Sequence, residues 1–176
     1  MVDTASRASI HASAVRVGHH AVLIRGPSGV GKSRLAFDLI LAGRVGYIPS
    51  AVLVGDDRVY VDACGEKAVV SPVPQLAGLI EIRGLGIRRC DFTEAAPIGL
   101  VIDLSADDAE RLPAPEKLRT RILGIEIPRI PIGIGHAALP LVVAALTTTE
   151  GSFSGSEAED CLKGIGNHIR LSIATE

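Results

Sequence analysis

The sequence predicts an α/β domain with a mixed sheet and flanking helices, and three observations lead there. Of 176 residues, 47 % are hydrophobic, yet there are only three Phe, two Tyr and no Trp. The core is therefore aliphatic, which suits strands buried on both faces, as in a parallel sheet. A short apolar run, Ala21-Val22-Leu23-Ile24, leads straight into Arg25-Gly26-Pro27-Ser28-Gly29-Val30-Gly31-Lys32-Ser33. From Lys32 onward Leu35, Ala36, Leu39 and Ile40 recur at helical spacing. Strand, glycine-rich loop and helix in that order define a P-loop-containing nucleotide-binding domain. The length accommodates one domain with a proper core and not two of ordinary size, so residues 1–176 are read as a single domain.

The remaining elements follow in order. His11 to Val17 and Ala21 to Ile24 read as two strands separated by a turn at Gly18-His19-His20. The helix after the loop is expected to stop at Gly43, placed as a left-handed cap. Ala51-Val52-Leu53-Val54 is an apolar strand closed by Gly55-Asp56-Asp57, and Val59-Tyr60-Val61 continues as another. Leu79 to Ile82 and Ile98 to Leu104 are further strands bounded by turn residues. Asp107 to Lys117 is polar and broken by Pro113 and Pro115, which predicts a surface loop or a helical turn. Ile125 to Ile134 is too interrupted by Pro and Gly for a helix, whereas Leu139 to Leu146 and Ala158 to Ile165 are expected to be helical. No repeat or linker divides the chain.

Composition also excludes partners. A net charge of −2 creates no general field for nucleic-acid phosphates, so an anion site must be local. The N-terminus lacks a signal pattern and no apolar run approaches the ~18 residues of a membrane span, which predicts a cytoplasmic protein without a membrane partner. Cys64, Cys90 and Cys161 are far apart and lack metal or redox spacing, so they are read as buried thiols.

Gly26 to Ser33 satisfies G-x-x-x-x-G-K-[ST] in full. The glycines let backbone N–H groups converge on phosphates, and the helix N-terminus adds its positive dipole end. Lys32 is placed to reach the β- and γ-phosphates of ATP, and the Ser33 hydroxyl to bind Mg²⁺. The motif leaves the phosphate acceptor open. A guanine-reading N-K-x-D is excluded because the single Asn, Asn167, precedes His168, and the H-R-D and D-F-G elements of eukaryotic-type protein kinases are missing. Asp56 and Asp57 close a strand where a carboxylate can orient a metal-bound water or accept a proton, the alternative being a solvated acidic turn. Glu81 and Arg83 share a strand face in LIEIRGLGI, where a structural ion pair is the simplest reading. The glycines that follow, Gly84 and Gly86, favour close approach of a ligand instead.

Taken together, GPSGVGKS, the double Asp, EIRGLGI and ILGIEIPRIPI resemble the catalytic domain of bacterial HPr kinase/phosphorylase, in the same order, over about His11 to Leu146. The resemblance implies the fold shared with phosphoenolpyruvate carboxykinase-like enzymes, ATP and Mg²⁺ as cofactors, and an HPr-type phosphocarrier of the phosphotransferase system as the protein whose serine is phosphorylated. It implies that His11 is the active-site histidine, Lys32 the phosphate lysine, and Ser33 and Glu81 the magnesium ligands. One of Asp56 and Asp57, with Asp57 favoured, is implied as the base. Arg111 in ERLP is similar in placement to a catalytic arginine, the alternative being a surface arginine. The resemblance also implies a homo-oligomer, a hexamer.

The chain departs from the family at three places. Only ten residues precede His11, which predicts a stand-alone short form without the family's N-terminal domain. Arg34 replaces the Glu that usually follows the loop serine. Pro131-Ile132-Gly133-Ile134-Gly135-His136 stands where a basic loop is tied to dephosphorylation, so phosphorolysis is expected to be weak. Alternative readings are a small-molecule kinase related to phosphoenolpyruvate carboxykinase-like enzymes and a nucleotide-binding regulatory module.

Overall fold

Two strands of the sheet run side by side in the same direction and carry the phosphate loop between them. A computed structural model describes residues 7–149. In chain order the strands are β1 (Ser9–Ile10), β2 (Ser13–Val17), β3 (His20–Arg25), β4 (Ala51–Gly55), β5 (Val59–Cys64), β6 (Lys67–Pro72), β7 (Leu79–Ile82), β8 (Gly86–Arg89), β9 (Ala96–Leu104), β10 (Arg119–Ile122) and β11 (Ile125–Ile132). Helix α1 spans Lys32–Arg44 and α2 spans Ala138–Thr147. Strands β1-β5-β6-β9-β3-β2-β4 form one sheet in that order, with β11 also against β9 and β10 against β11. The β3–β9 and β9–β11 pairings are parallel, while β2 pairs antiparallel with both β3 and β4. The sheet is therefore mixed, as expected.

Alternation along the strands makes two cores. Val22, Ile24, Leu100 and Ile102 face α1, meeting Leu35, Ala36, Leu39 and Ile40, with Val142 of α2 in the same cluster. Ala21, Leu23, Ile98 and Val101 face the other way, against Val54, Val59, Ala68 and Val70. The second face is covered by the sheet's own β5 and β6, which explains how a chain with few helices buries both sides of its central strands.

The directions of the strands gather the loops. Antiparallel pairing to β2 makes β3 and β4 run the same way, and β9 and β11 run parallel to β3. The carboxyl ends of β3, β4, β9 and β11, and the segment preceding β2, thus share one edge of the sheet. Ligands of open α/β sheets bind outside such an edge.

Local expectations are met at some positions and changed at others. The His11–Val17 strand is split, with His11 in a bend between β1 and β2. Gly43 is not a left-handed cap: it lies inside α1, and Gly46 takes the positive φ of 80° after it. A Cβ on Gly43 would sit 2.7 Å from both the Cβ and the backbone N of Ala51, so the residue is small because β4 passes against the helix there. Ile125 to Ile132 is a strand, and Asp107 to Lys117 is a loop ending in a 3₁₀ turn at Pro115–Leu118. The Leu139–Leu146 helix is present as α2, whereas the helix expected at Ala158 to Ile165 and Cys161 lie outside the described residues. Cys64 is exposed rather than buried, because it ends β5 at an open turn, and Cys90 is half-buried, where burial raises its thiol pKa.

Candidate functional site

The phosphate loop is built from its own backbone. Gly26, Gly29 and Gly31 have φ of 144°, 77° and 106°, a region costly for residues with a side chain. Gly26 is further constrained by its neighbour, since a Cβ there would lie 2.8 Å from the carbonyl oxygen of Leu104. Gly31 caps α1 without a side-chain bond and no acidic residue occupies the first turn, so the helix amino end is open to an anion. Lys32 is 5 % exposed, and its Nζ donates to the carbonyl oxygens of Gly26 (2.9 Å) and Pro27 (2.8 Å). The ammonium is thereby held inside the arch of the loop. Burial lowers its pKa against the opposing pull of Asp57 and Asp56, so both carboxylates exert their field on this lysine. Pro27, Ser28 and Gly29 are exposed, and Val30 and Ser33 half-buried. A turn of glycine backbone and a helix amino end around one cation, opening to solvent, fits a polyphosphate.

The two aspartates that sequence alone leaves equivalent have different environments. Asp56 is 3 % exposed, and its oxygens accept from Ser13 Oγ at 2.5 Å and from the backbone N–H of Glu81 at 3.1 Å. Asp57 has a side chain 65 % exposed, a φ of 65°, and its Oδ1 lies 3.7 Å from His11 Nε2. One carboxylate ties β2 and β7 to the end of β4, and the other faces solvent beside an imidazole. Sequence reasoning missed Ser13, because a serine in an apolar strand carries no signal until its partner 43 residues away is placed.

Glu81 is exposed on β7, and the ion pair expected with Arg83 is not formed. Arg83 lies beyond the end of the strand, and its Nη2 reaches the carbonyl oxygen of Gly29 at 3.5 Å instead. RGLG is the turn of the β7–β8 hairpin: Gly84 and Gly86 have φ of 85° and 87°, with nothing within 4 Å of an added Cβ. Their positive φ accounts for glycine there, and the space beside them is open. Through Asp56 to Glu81 and Arg83 to Gly29, this hairpin is fastened beside the phosphate loop.

Arg111 is exposed in the loop after β9, and no ion pair among the described residues includes it. His136 is exposed after β11, with its Nδ1 3.1 Å from the position a Cβ on Gly133 would take. The chain direction thus brings Lys32, Ser33, His11, Asp56, Asp57 and Glu81 to one edge of the sheet, with the Arg111 and His136 loops leaving from the same edge. Sequence reasoning also missed Arg25, Asp103, Asp108 and Arg129, a set of ion pairs that links β3, β9, β11 and the loop after β9. Their partners lie up to 78 residues apart, so no local pattern reveals them.

Comparison with known proteins identifies the family. The family described as HPr Serine kinase C-terminal domain matches residues 3–163. The HPr kinase/phosphorylase of Mycoplasma mycoides is 31 % identical over 153 residues, covering 77 % of this chain and 46 % of that protein. The protein of the same name from Chlorobium phaeobacteroides is 33 % identical over 181 residues, covering 94 % of this chain and 50 % of its own length. The chain therefore spans about half the length of the curated relatives it matches. A solved structure described as the Hpr(Ser) kinase/phosphatase from Coxiella burnetii matches with a TM-score of 0.62 and 25 % identity, covering 90 % of this chain and 99 % of that one.

Proposed function

The chain belongs to the HPr serine kinase C-terminal domain family, and on that premise we propose that it transfers the γ-phosphoryl group of ATP to a serine of an HPr-type phosphocarrier protein. The observation that carries the reading is the placement of Asp57, exposed beside His11 at 3.7 Å and close enough to Lys32 for its charge to act on the lysine. A nucleotide-binding module has no use for a solvent-facing carboxylate at the mouth of its phosphate loop; a kinase needs one to take the proton of the attacking hydroxyl.

In this reading the loop from Gly26 to Ser33 binds the phosphates through backbone N–H groups, and Lys32 offsets charge on the transferring group. Asp57 accepts the serine proton, and His11 restrains that carboxylate. Asp56 holds the end of β4 in register with Ser13 and Glu81. Arg111, reaching in from its loop, adds positive charge. Among the described residues no group of three or more His, Cys, Asp or Glu is arranged to hold a metal ion. Ser33 and Glu81 would hold Mg²⁺, an ion that keeps waters and substrate oxygens and takes only one or two protein ligands. When bound, it supplies charge neutralisation at the β- and γ-oxygens.

Phosphorolysis of the phosphoserine is proposed to be weak, since a second phosphate must be held against repulsion and the 133–136 loop offers no Lys or Arg for it. The test is incubation of the chain with γ-labelled ATP, Mg²⁺ and an HPr-type carrier, beside a carrier whose acceptor serine is replaced by alanine. Label on the first carrier alone supports the reading; ATP turnover without label on either carrier overturns it.

A further inference from the structure

A chain of charges crosses the sheet edge beside the phosphate loop. Asp103 of β9 receives a fork from Arg25, with Nε to Oδ1 and Nη2 to Oδ2 both at 2.7 Å. Arg25 is the residue before Gly26. The same Oδ2 accepts from Arg129 Nε at 2.5 Å. The rest of the Arg129 guanidinium points away from the core, into the loop after β9. Its Nη1 and Nη2 grip Asp108 at 2.7 and 2.9 Å, and Nη1 also donates to the carbonyl oxygen of Lys117 at 3.0 Å. A single side chain, 14 % exposed, thus spends all its directions on tying one loop to the entry of another.

That loop is the one that bears Arg111, and it has no hydrophobic hold of its own. Leu112 is 86 % exposed, and no side chain from Asp107 to Lys117 is buried. Its position is set by polar links: Ala106 N–H to the Ile132 carbonyl oxygen at 2.9 Å, the Arg129 fork on Asp108, and the pair between Glu110 and Lys117. It departs from Leu104, whose carbonyl oxygen lies so near Gly26 that no Cβ fits between them. A loop that contributes nothing to the core gains little fold stability from being clamped this way. What it gains is a defined place relative to Gly26.

We propose that Arg129 and Asp108 are positioning residues, which hold the loop carrying Arg111 in fixed relation to the phosphate loop so that its guanidinium meets the transferring phosphoryl group in place. The proposal rests on the function given above, with Arg111 acting in transfer. Misplacement of a charged group by about 1 Å costs up to 10²-fold in rate, so a tether of this kind has a kinetic consequence.

Asp108→Asn is the variant of choice, because it leaves the Arg129–Asp103 pair intact and sits at a partly exposed position outside both cores. Amide hydrogen exchange across residues 105–112 is expected to quicken on the order of 10-fold, the loss of one charge-assisted fork, with exchange in α1 unchanged. Turnover on the carrier should fall roughly 10-fold at unaltered ATP affinity. Arg129→Lys, which keeps charge but lacks the fork, should behave alike. Combined with Arg111→Ala, Asp108→Asn should cost almost nothing further, since the tether has lost its cargo. Unchanged exchange in the loop, or a full multiplicative loss in the double variant, overturns the proposal. If the wild-type chain transfers no phosphate to the carrier, the function is overturned, and the exchange measurement decides the tether by itself.

Discussion

Ser13 Oγ donates to Asp56 Oδ1 at 2.5 Å inside the protein, while the next residue, Asp57, turns its carboxylate out to within 3.7 Å of His11. Two chemically identical side chains are thus divided into a buried anchor and a solvent-facing carboxylate. The division follows from backbone conformation: the φ of 65° at Asp57 reverses the chain after β4, so neighbouring side chains leave in different directions.

The first prediction separates them. Asp56→Asn places an amide N–H₂ against either the Ser13 hydroxyl or the Glu81 N–H, and is expected to lower stability by about 1–3 kcal/mol. Asp57→Asn keeps a residue that tolerates the left-handed region at an exposed position, so stability should change by less than about 0.5 kcal/mol. Transfer, however, should slow by roughly 10²-fold or more. Urea unfolding and carrier turnover of both variants check this. A larger turnover loss in Asp56→Asn than in Asp57→Asn would exchange the two roles.

The second prediction concerns Lys32. Its ammonium donates to the carbonyl oxygens of Gly26 and Pro27 and lies in the field of Asp56 and Asp57, so Lys32→Ala removes the one buried cation of the loop. Transfer is expected to drop by about 10²–10³-fold, the size of losing a preorganised charge at the reacting group. Calorimetric titration should still detect ATP, more weakly, because the N–H groups of the loop and the amino end of α1 remain. Turnover at the wild-type rate would remove Lys32 from the chemistry.

For Glu81 the structure simplifies the expectation. The side chain is exposed and unpaired with Arg83, so Glu81→Gln should leave the thermal midpoint within about 2 °C. The Mg²⁺ concentration for half-maximal transfer should rise, since a hard cation loses an anionic oxygen. A lowered midpoint with unchanged metal dependence would make Glu81 a structural residue.

What could be read in advance divides along the range of the interactions. The phosphate loop, α1, β4 and β9 are written in contiguous residues, as motif, periodicity and apolar runs, and each stands where expected. Short strands with a weak apolar pattern escaped notice, including β6, whose buried face is only Ala68 and Val70. β8 is exposed along its whole length and shows no alternation, while β10, Arg119–Ile122, alternates over only four residues, too few to stand out. Gly43 was misread because a glycine near a helix end signals a cap locally, and only the packing of Ala51 against α1 reveals the other reason for it. Arg25, Asp103 and Arg129 lie in three different strands, and their grouping depends on the parallel register of β3, β9 and β11. That register is a property of the whole sheet, and no single stretch contains it.

Gly43→Ala tests that corrected reading. Alanine improves intrinsic helix propensity by up to about 1 kcal/mol, so a solvent-facing glycine would be stabilised by the change. Here the new methyl would lie 2.7 Å from Ala51 and 3.2 Å from the carbonyl oxygen of Pro49, both on backbone that must move. Overpacking of about 1–3 kcal/mol should outweigh the helical gain, and the urea midpoint should fall. A raised midpoint would mean that β4 yields without cost.

The last prediction is the acid response of the ion pairs beside the phosphate loop. Burial by itself would raise the Asp103 carboxyl pKa, but hydrogen bonds and charges from Arg25 and Arg129 together outweigh it and hold the group below its ordinary value. The Arg129 bond does the same for Asp108. A carboxylate whose pKa is lower folded than unfolded binds fewer protons in the native state, so it adds stability at pH above its unfolded value of about 3.9 and loses that contribution as pH falls toward the folded value. Asp103→Asn should therefore unfold more easily than the wild type by a constant margin from about pH 7 down to about pH 5, with the margin shrinking below about pH 4. Urea unfolding of both proteins across that range measures the difference directly. The guanidinium of Arg129 stays charged throughout, its pKa driven further up by Asp108 and Asp103, so any convergence of the two curves belongs to the carboxylate. A margin that persists unchanged to pH 3 would mean that the Asp103 side chain stabilises the strand ends by packing and neutral hydrogen bonding rather than by charge.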